Sequence, residues 1–62
     1  MANNQKNGSG TIYGFQESAK VWRIAIDGKM HPSDFVNQAD IREWVRNMQE
    51  NGMYEGYVLS FR

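Results

Sequence analysis

The chain has 62 residues, which is enough for one domain and too few for two. Seven lysines and arginines balance seven aspartates and glutamates, so the chain lacks the positive charge with which general nucleic-acid or anionic-membrane binders attract their partners. It contains no cysteine, which excludes disulfides and thiolate zinc sites. A domain of this size is marginally stable by itself, and this favours self-association.

Residues 1–10, MANNQKNGSG, are polar and offer almost nothing to bury. This composition predicts a disordered arm over residues 1–10, followed by a single α+β domain over residues 11–62. No apolar run is long enough to span a membrane, and the polar start does not resemble a signal peptide. We therefore expect a cytoplasmic protein with no membrane partner.

Two strands are predicted in the first half of the domain. Residues 11–16, TIYGFQ, and residues 20–27, KVWRIAID, are rich in β-branched and aromatic residues. Asp27 and Gly28 form the dipeptide that is typical of a hairpin turn, so residues 29–31 are expected to pair briefly with the second strand.

The next segment is expected to leave the sheet. Pro32 ends any strand because it lacks an N–H donor. Ser33 and Asp34 are good helix-starting residues, and we expect them to begin a single helical turn that carries Phe35 into the core.

A helix is predicted over residues 37–51. Asn37 is a favourable N-cap, and Gly52 with Met53 matches the glycine stop of a Schellman motif. Four apolar residues then recur at the spacing of one buried helix face: Ile41, Trp44, Val45 and Met48. We expect Trp44 to pack this helix on the sheet, against Trp22, Ile24, Tyr57 and Leu59.

The predicted fold class is α+β, with one helix on one face of a small, mostly antiparallel sheet. The element order is β-β-α-β, because residues 54–62, YEGYVLSFR, return to the alternation of a strand. The sheet has three strands, or four if residues 29–31 pair. Residues 11–16 and 54–62 are expected to be its edges.

One helix covers only one face of such a sheet, so the other face is the candidate binding surface. Strand alternation assigns a mixed apolar and basic set to this face, and we predict that these residues bind a partner: Val21, Arg23, Ala25, Tyr54, Val58 and Arg62. Ile12 is assigned to the same face.

The residues suited to catalysis are few. His31 is the single imidazole, and Asp27, Asp34 and Asp40 lie near it in sequence, but their spacing matches no metal motif. Each aspartate also has a structural interpretation, in a turn, a first helical turn or a cap. The sequence therefore predicts no catalytic, cofactor-binding or metal-binding residue and a protein that is not an enzyme.

Two functions remain open. The first is a small protein-binding regulator or inhibitor, whose partner is a larger protein, a second copy of itself, or both. The order of polar arm, two strands, helix and strand is similar to that of small phage inhibitors of host RNA polymerase, and this resemblance implies an action on a host protein in the host cytoplasm.

The alternative is a single-stranded nucleic-acid binder that stacks bases on aromatic rings beside Arg and Lys. The strings KVWR at 20–23 and GKM at 28–30 resemble a piece of the small archaeal chromatin proteins, which bind DNA with a sheet. Those proteins are strongly basic whereas this chain is neutral, so nucleic acid is the less favoured partner. Exposed rings beside Arg23 on the open face would favour nucleic acid, whereas an apolar open face poor in rings would favour the protein-binding module.

Overall fold

The computed structural model describes residues 10–62, and these form a four-stranded sheet with one helix. The elements are β1 (Thr11–Ser18), β2 (Val21–Ile26), β3 (Lys29–Met30), α1 (Gln38–Glu50) and β4 (Val58–Phe61). In the sheet the strands lie in the order β3-β2-β1-β4. The pairs β1–β2 and β2–β3 are antiparallel, whereas β1–β4 is parallel. The predicted α+β class is confirmed, and the sheet has the fourth strand.

The predicted arm falls mostly on residues 1–9, which lie outside the described residues. Its last member, Gly10, belongs to the fold, because its carbonyl accepts a hydrogen bond of 3.1 Å from the Val58 N–H. A Cβ at Gly10 would lie 2.3 Å from the ring of Tyr57. A side chain at this position would therefore force the Tyr57 ring to shift.

The turn between β2 and β3 is the predicted hairpin. Asp27 has φ 54° and Gly28 has φ 85°, and positive φ at both central residues is what a two-residue type I′ turn requires. Ile26 and Lys29 pair directly on either side of it. The hairpin turn predicted from Asp27-Gly28 is confirmed.

The helical turn predicted for residues 33–35 is wrong. Phe35 instead forms an antiparallel bridge with Trp22, and their backbone hydrogen bonds measure 2.7 and 2.8 Å. The chain bends at Pro32 and meets β2 again at Phe35. β3 is too short to pair with all of β2. The bridge to Phe35 satisfies the backbone N–H and C=O of Trp22, and this pairing outweighs the tendency of Ser33 and Asp34 to begin a helical turn.

Both ends of α1 follow the prediction. The Asn37 side chain accepts a hydrogen bond of 2.9 Å from the Asp40 N–H. At the other end Gly52 has φ 86°, and the Met53 N–H donates to the Met48 carbonyl at 2.9 Å, as in a Schellman motif. No helix within residues 10–62 has the length and apolar character needed to cross a membrane.

The core lies between α1 and one face of the sheet. Its fully enclosed side chains are Ile12, Ile24 and Ile41, joined by Val45. The assignment of Ile12 to the open face is therefore wrong. Trp44 packs against this cluster from the helix, and its ring also lies 5.1 Å from the His31 ring and 6.0 Å from the Phe35 ring.

Two expectations about the strands need correction. Residues 11–16 do not form an edge, since β1 lies inside the sheet between β2 and β4. The last strand begins only at Val58, because Tyr54 (φ 56°) and Gly56 (φ 81°) adopt left-handed turn conformations. The Gln49 side chain donates to the Tyr54 carbonyl at 3.1 Å and thereby fixes this turn to the helix.

The helix approaches the sheet closely at Gly14, in the middle of β1. Gly14 pairs with Ile24 on one side and with Phe61 on the other. A Cβ at this position would lie 2.8 Å from the Phe61 ring and 3.1 Å from Cδ1 of Ile41. The helix and β4 thus fill the space that a side chain on the central strand would occupy.

We predict that Gly14→Ala destabilises the fold by about 1–3 kcal/mol, because the added methyl overpacks the core. The expected sign is diagnostic, since glycine in a strand interior is otherwise less favourable than alanine by about 0.5–1 kcal/mol. Urea unfolding measures the change, with Ser18→Ala at the exposed end of β1 as the control. A neutral or stabilising Gly14→Ala would contradict the close approach.

Candidate functional site

The sheet face opposite α1 is the candidate site, and we call it the open face. Ile12, Gly14 and Ile24 point toward the helix, so strand alternation directs their neighbours to the other side. The register sets Tyr13 beside Ala25 and Ser60, and Phe15 beside Arg23. The open face therefore carries two aromatic rings near its centre.

Most of the sequence-predicted binding residues belong to the open face. Val21, Arg23 and Ala25 reach it from β2, Val58 from β4, and Arg62 follows β4. Tyr54 does not, because it packs against the core, with its ring 6.0 Å from that of Trp44 and 5.4 Å from that of Tyr57. The left-handed turn at Tyr54 breaks the alternation on which its assignment depended.

Tyr13 and Phe15 are the site residues that sequence reasoning missed. They line a shallow hollow of about 370 Å³ together with Ala25, Gly28 and Arg62. The hollow exists because Ala25, the cross-strand neighbour of Tyr13, is small. The sequence feature that could have located these two residues is Gly14. Because it has no side chain, it identifies the face of β1 that the helix approaches, and Tyr13 and Phe15 lie on the other face.

Arg62 forms the charged rim of the hollow. Its guanidinium carbon lies 4.8 Å from the centre of the Tyr13 ring, a cation–π distance. The ring holds the side chain against the sheet. This arrangement pairs an apolar depression with a cation at its margin.

Arg23 has a different role, because its charge is already compensated. Its Nη1 lies 3.1 Å from Oε1 of Glu17, and its Nη2 donates to the His31 carbonyl at 3.1 Å. Its Nε lies 3.2 Å from Oδ1 of Asp34, an ion-pair distance at an angle that makes no hydrogen bond. Arg23 therefore ties β1, β2 and the loop after β3 together.

The turn at Asp27 borders the hollow and is fixed by two contacts. The Tyr57 hydroxyl donates to Oδ2 of Asp27 at 2.7 Å, and the Asp27 N–H donates to the Thr11 carbonyl at 3.0 Å. Donation to this carboxylate raises the pKa of the Tyr57 phenol above its ordinary 10.0, with smaller increases from burial and from the negative charge of Asp27. The contact holds Gly28 in place at the wall of the hollow.

His31 and the aspartates near it in sequence have separate structural contacts. Nδ1 of His31 accepts a hydrogen bond of 3.2 Å from the Ser33 N–H, Asp27 binds Tyr57, and Asp34 pairs with Arg23. Asp40 lies in the first turn of α1. Across residues 10–62, no group of three His, Cys, Asp or Glu side chains is arranged to hold a metal ion.

The chain was compared with known proteins. No protein-family model, no curated protein and no solved structure matches it.

We predict that Tyr57→Phe removes an alkaline component of stability. The raised pKa means that the fold favours the protonated phenol, so this contribution is complete below the unfolded value of 10.0 and is lost as pH rises through the folded value. Melting temperatures of both proteins measured from neutral to alkaline pH should converge above that range. A constant difference at every pH would contradict the Tyr57–Asp27 contact.

Proposed function

We propose that this chain is a small, non-enzymatic protein-binding module whose open face binds a larger protein. The observation that carries the proposal is the hollow between Tyr13, Phe15 and Ala25, with Arg62 at its margin. Aromatic residues and arginine are enriched among the residues that dominate protein–protein binding energies. Such a module acts as a regulator or inhibitor by covering a surface of its target.

The shape of the face suits a protein side chain. A shallow depression lined by two rings and an alanine offers an apolar surface on which an aliphatic or aromatic side chain can pack. Because the chain has no net charge, affinity rests on apolar contact more than on long-range attraction.

The charges define the chemistry of the partner. Arg23 is occupied by Glu17 and Asp34, whereas the contact of Arg62 on this face is a neutral ring. A carboxylate on the partner would gain a charge-assisted hydrogen bond from Arg62. The proposed partner thus presents an apolar side chain with an aspartate or glutamate beside it.

One observation favours single-stranded nucleic acid as a second candidate. Phe15 lies directly opposite Arg23 on the open face, and Tyr13 lies two residues along the same strand. Bases stack on such rings. However, the carboxylates around Arg23 would repel a phosphate backbone, and the neutral chain gains little from counterion release. Protein binding is therefore the better supported function.

Peptide selection tests the proposal. Peptides selected from a random displayed library should be enriched in an apolar residue next to an acidic one. Their affinity should fall by about tenfold or more for Ala25→Glu, which places a charge in the hollow, and for Arg62→Ala. The matched controls are Ala39→Glu and Arg46→Ala on the exposed surface of α1, which should bind like the parent.

A second arm separates the two candidates. Fluorescence anisotropy with an oligothymidine strand should show no binding at moderate salt. Salt-sensitive binding of this strand that Ala25→Glu abolishes would overturn the protein-binding function in favour of nucleic acid. Selected peptides whose affinity ignores both open-face variants would also contradict it.

A further inference from the structure

The outer edge of β4 carries backbone groups with no partner among residues 10–62. The Val58 N–H donates to Gly10 and the Arg62 N–H donates to Gly14, so residues 58, 60 and 62 direct their peptide groups toward β1. In a strand the intervening residues point the opposite way. Leu59 and Phe61 therefore present both N–H and C=O outward, along the edge of the sheet.

This edge lacks the usual protection against pairing. Edge strands are commonly blocked by proline, lysine or an inward charge. The opposite edge follows that rule, with Lys29 in β3 and Pro32 just after it. β4, with the sequence VLSF, has none of these residues, and Arg62 just after it lies on the Tyr13 ring of the open face. Since the chain carries no net charge, the approach of a second copy is not opposed by overall repulsion.

We propose that two copies of the chain join edge to edge through antiparallel β4 strands. The outward N–H and C=O groups belong to Leu59 and Phe61, which are separated by one residue. Two such strands can therefore satisfy each other's groups when they run antiparallel. Leu59 of each copy meets Phe61 of the other as a hydrogen-bonded pair, and Ser60 lies on the two-fold axis opposite Ser60 of the second copy. The two four-stranded sheets become one continuous sheet.

The side chains agree with this register on both faces. Toward the helices, Leu59 adjoins Phe61 of the second copy, so apolar side chains meet and extend the core face. On the open face, Val58, which is 59% exposed in the single chain, lies opposite Arg62 of the second copy. There it covers the aliphatic stem of the arginine that borders the hollow.

This inference rests on the β4 edge and not on the hollow, so it stands or falls separately from the proposed function. It also has a functional consequence. Pairing through β4 places the two open faces on the same side of one sheet, and the dimer presents two hollows related by a two-fold axis. A dimeric or repeated target would then bind more tightly than a single site allows.

Cysteine crosslinking tests the register, because the natural chain has no cysteine. Ser60→Cys should form a disulfide dimer under mild oxidation, since a non-hydrogen-bonded antiparallel pair has a Cα separation of about 4.5 Å, within the range that disulfides need. Val58→Cys is the matched control on the same strand and face. Its two sulfurs belong to residues about 14 Å apart, so it should crosslink at least about tenfold more slowly.

A mixture of two cysteine variants gives a further test of the register. Val58→Cys and Arg62→Cys, combined, should yield the mixed disulfide in preference to either homodimer, because these two positions face each other in the proposed register. Equal crosslinking of all three single variants would show random collision and would overturn the proposal.

Backbone methylation tests the edge without changing any side chain. Chemical synthesis can place an N-methyl group on Phe61, where it removes an outward donor. The control is N-methylation of Met30, whose N–H also points outward because His31 donates to Ile24 across β2–β3. By sedimentation, the parent and the Met30 analogue should dimerise as concentration rises, while the Phe61 analogue stays monomeric. A parent that remains monomeric at millimolar concentration would refute the pairing.

Discussion

The contact of Phe61 and Ile41 with the bare backbone of Gly14 determines how the layers of this small protein meet. A Cβ on the middle of β1 would occupy the positions that the ring and the methyl group now take. Because Gly14 has no side chain, α1 approaches the centre of the sheet and β4 pairs beside β1 with Phe61 turned inward. Ile12, Ile24, Ile41 and Val45 are buried between the helix and the sheet.

The same contact decides what the other face carries. Once Gly14 faces the helix, its neighbours Tyr13 and Phe15 must face away, and two rings that a core would readily accept lie on the surface instead. Both rings are half-buried there, and they line a depression with an arginine at its margin. The proposed function therefore follows from a packing requirement on the opposite side of the sheet.

Local signals in the sequence were sufficient for much of the fold. Asn37, Gly52 and the apolar spacing between them predict α1 correctly, and Asp27-Gly28 predicts the hairpin, since these features depend on neighbours in the chain. The bridge of Phe35 to Trp22 and the parallel pairing of β1 with β4 could not be predicted in this way. Both join residues distant in sequence, and their formation depends on which backbone groups remain to be satisfied.

The candidate site was predictable in part for a related reason. β2 alternates clearly, so Val21, Arg23 and Ala25 were assigned to the open face from sequence. β1 does not, because its outward residues, Tyr13 and Phe15, are large and apolar while its inward set includes a glycine. Hydrophobicity alone would place Tyr13 and Phe15 against the helix. Only the close approach of the helix to Gly14 shows that they lie on the open face.

The measurement that tests this account most directly is the pattern of nuclear Overhauser effects around β1. The account predicts strong contacts from the Gly14 Hα protons to the Phe61 ring and to the δ-methyl group of Ile41, with none from the rings of Tyr13 and Phe15 to any proton of α1. Contacts from Tyr13 or Phe15 to the Ile41 methyl would show that the helix covers the other face, and would contradict both the packing and the assigned binding surface.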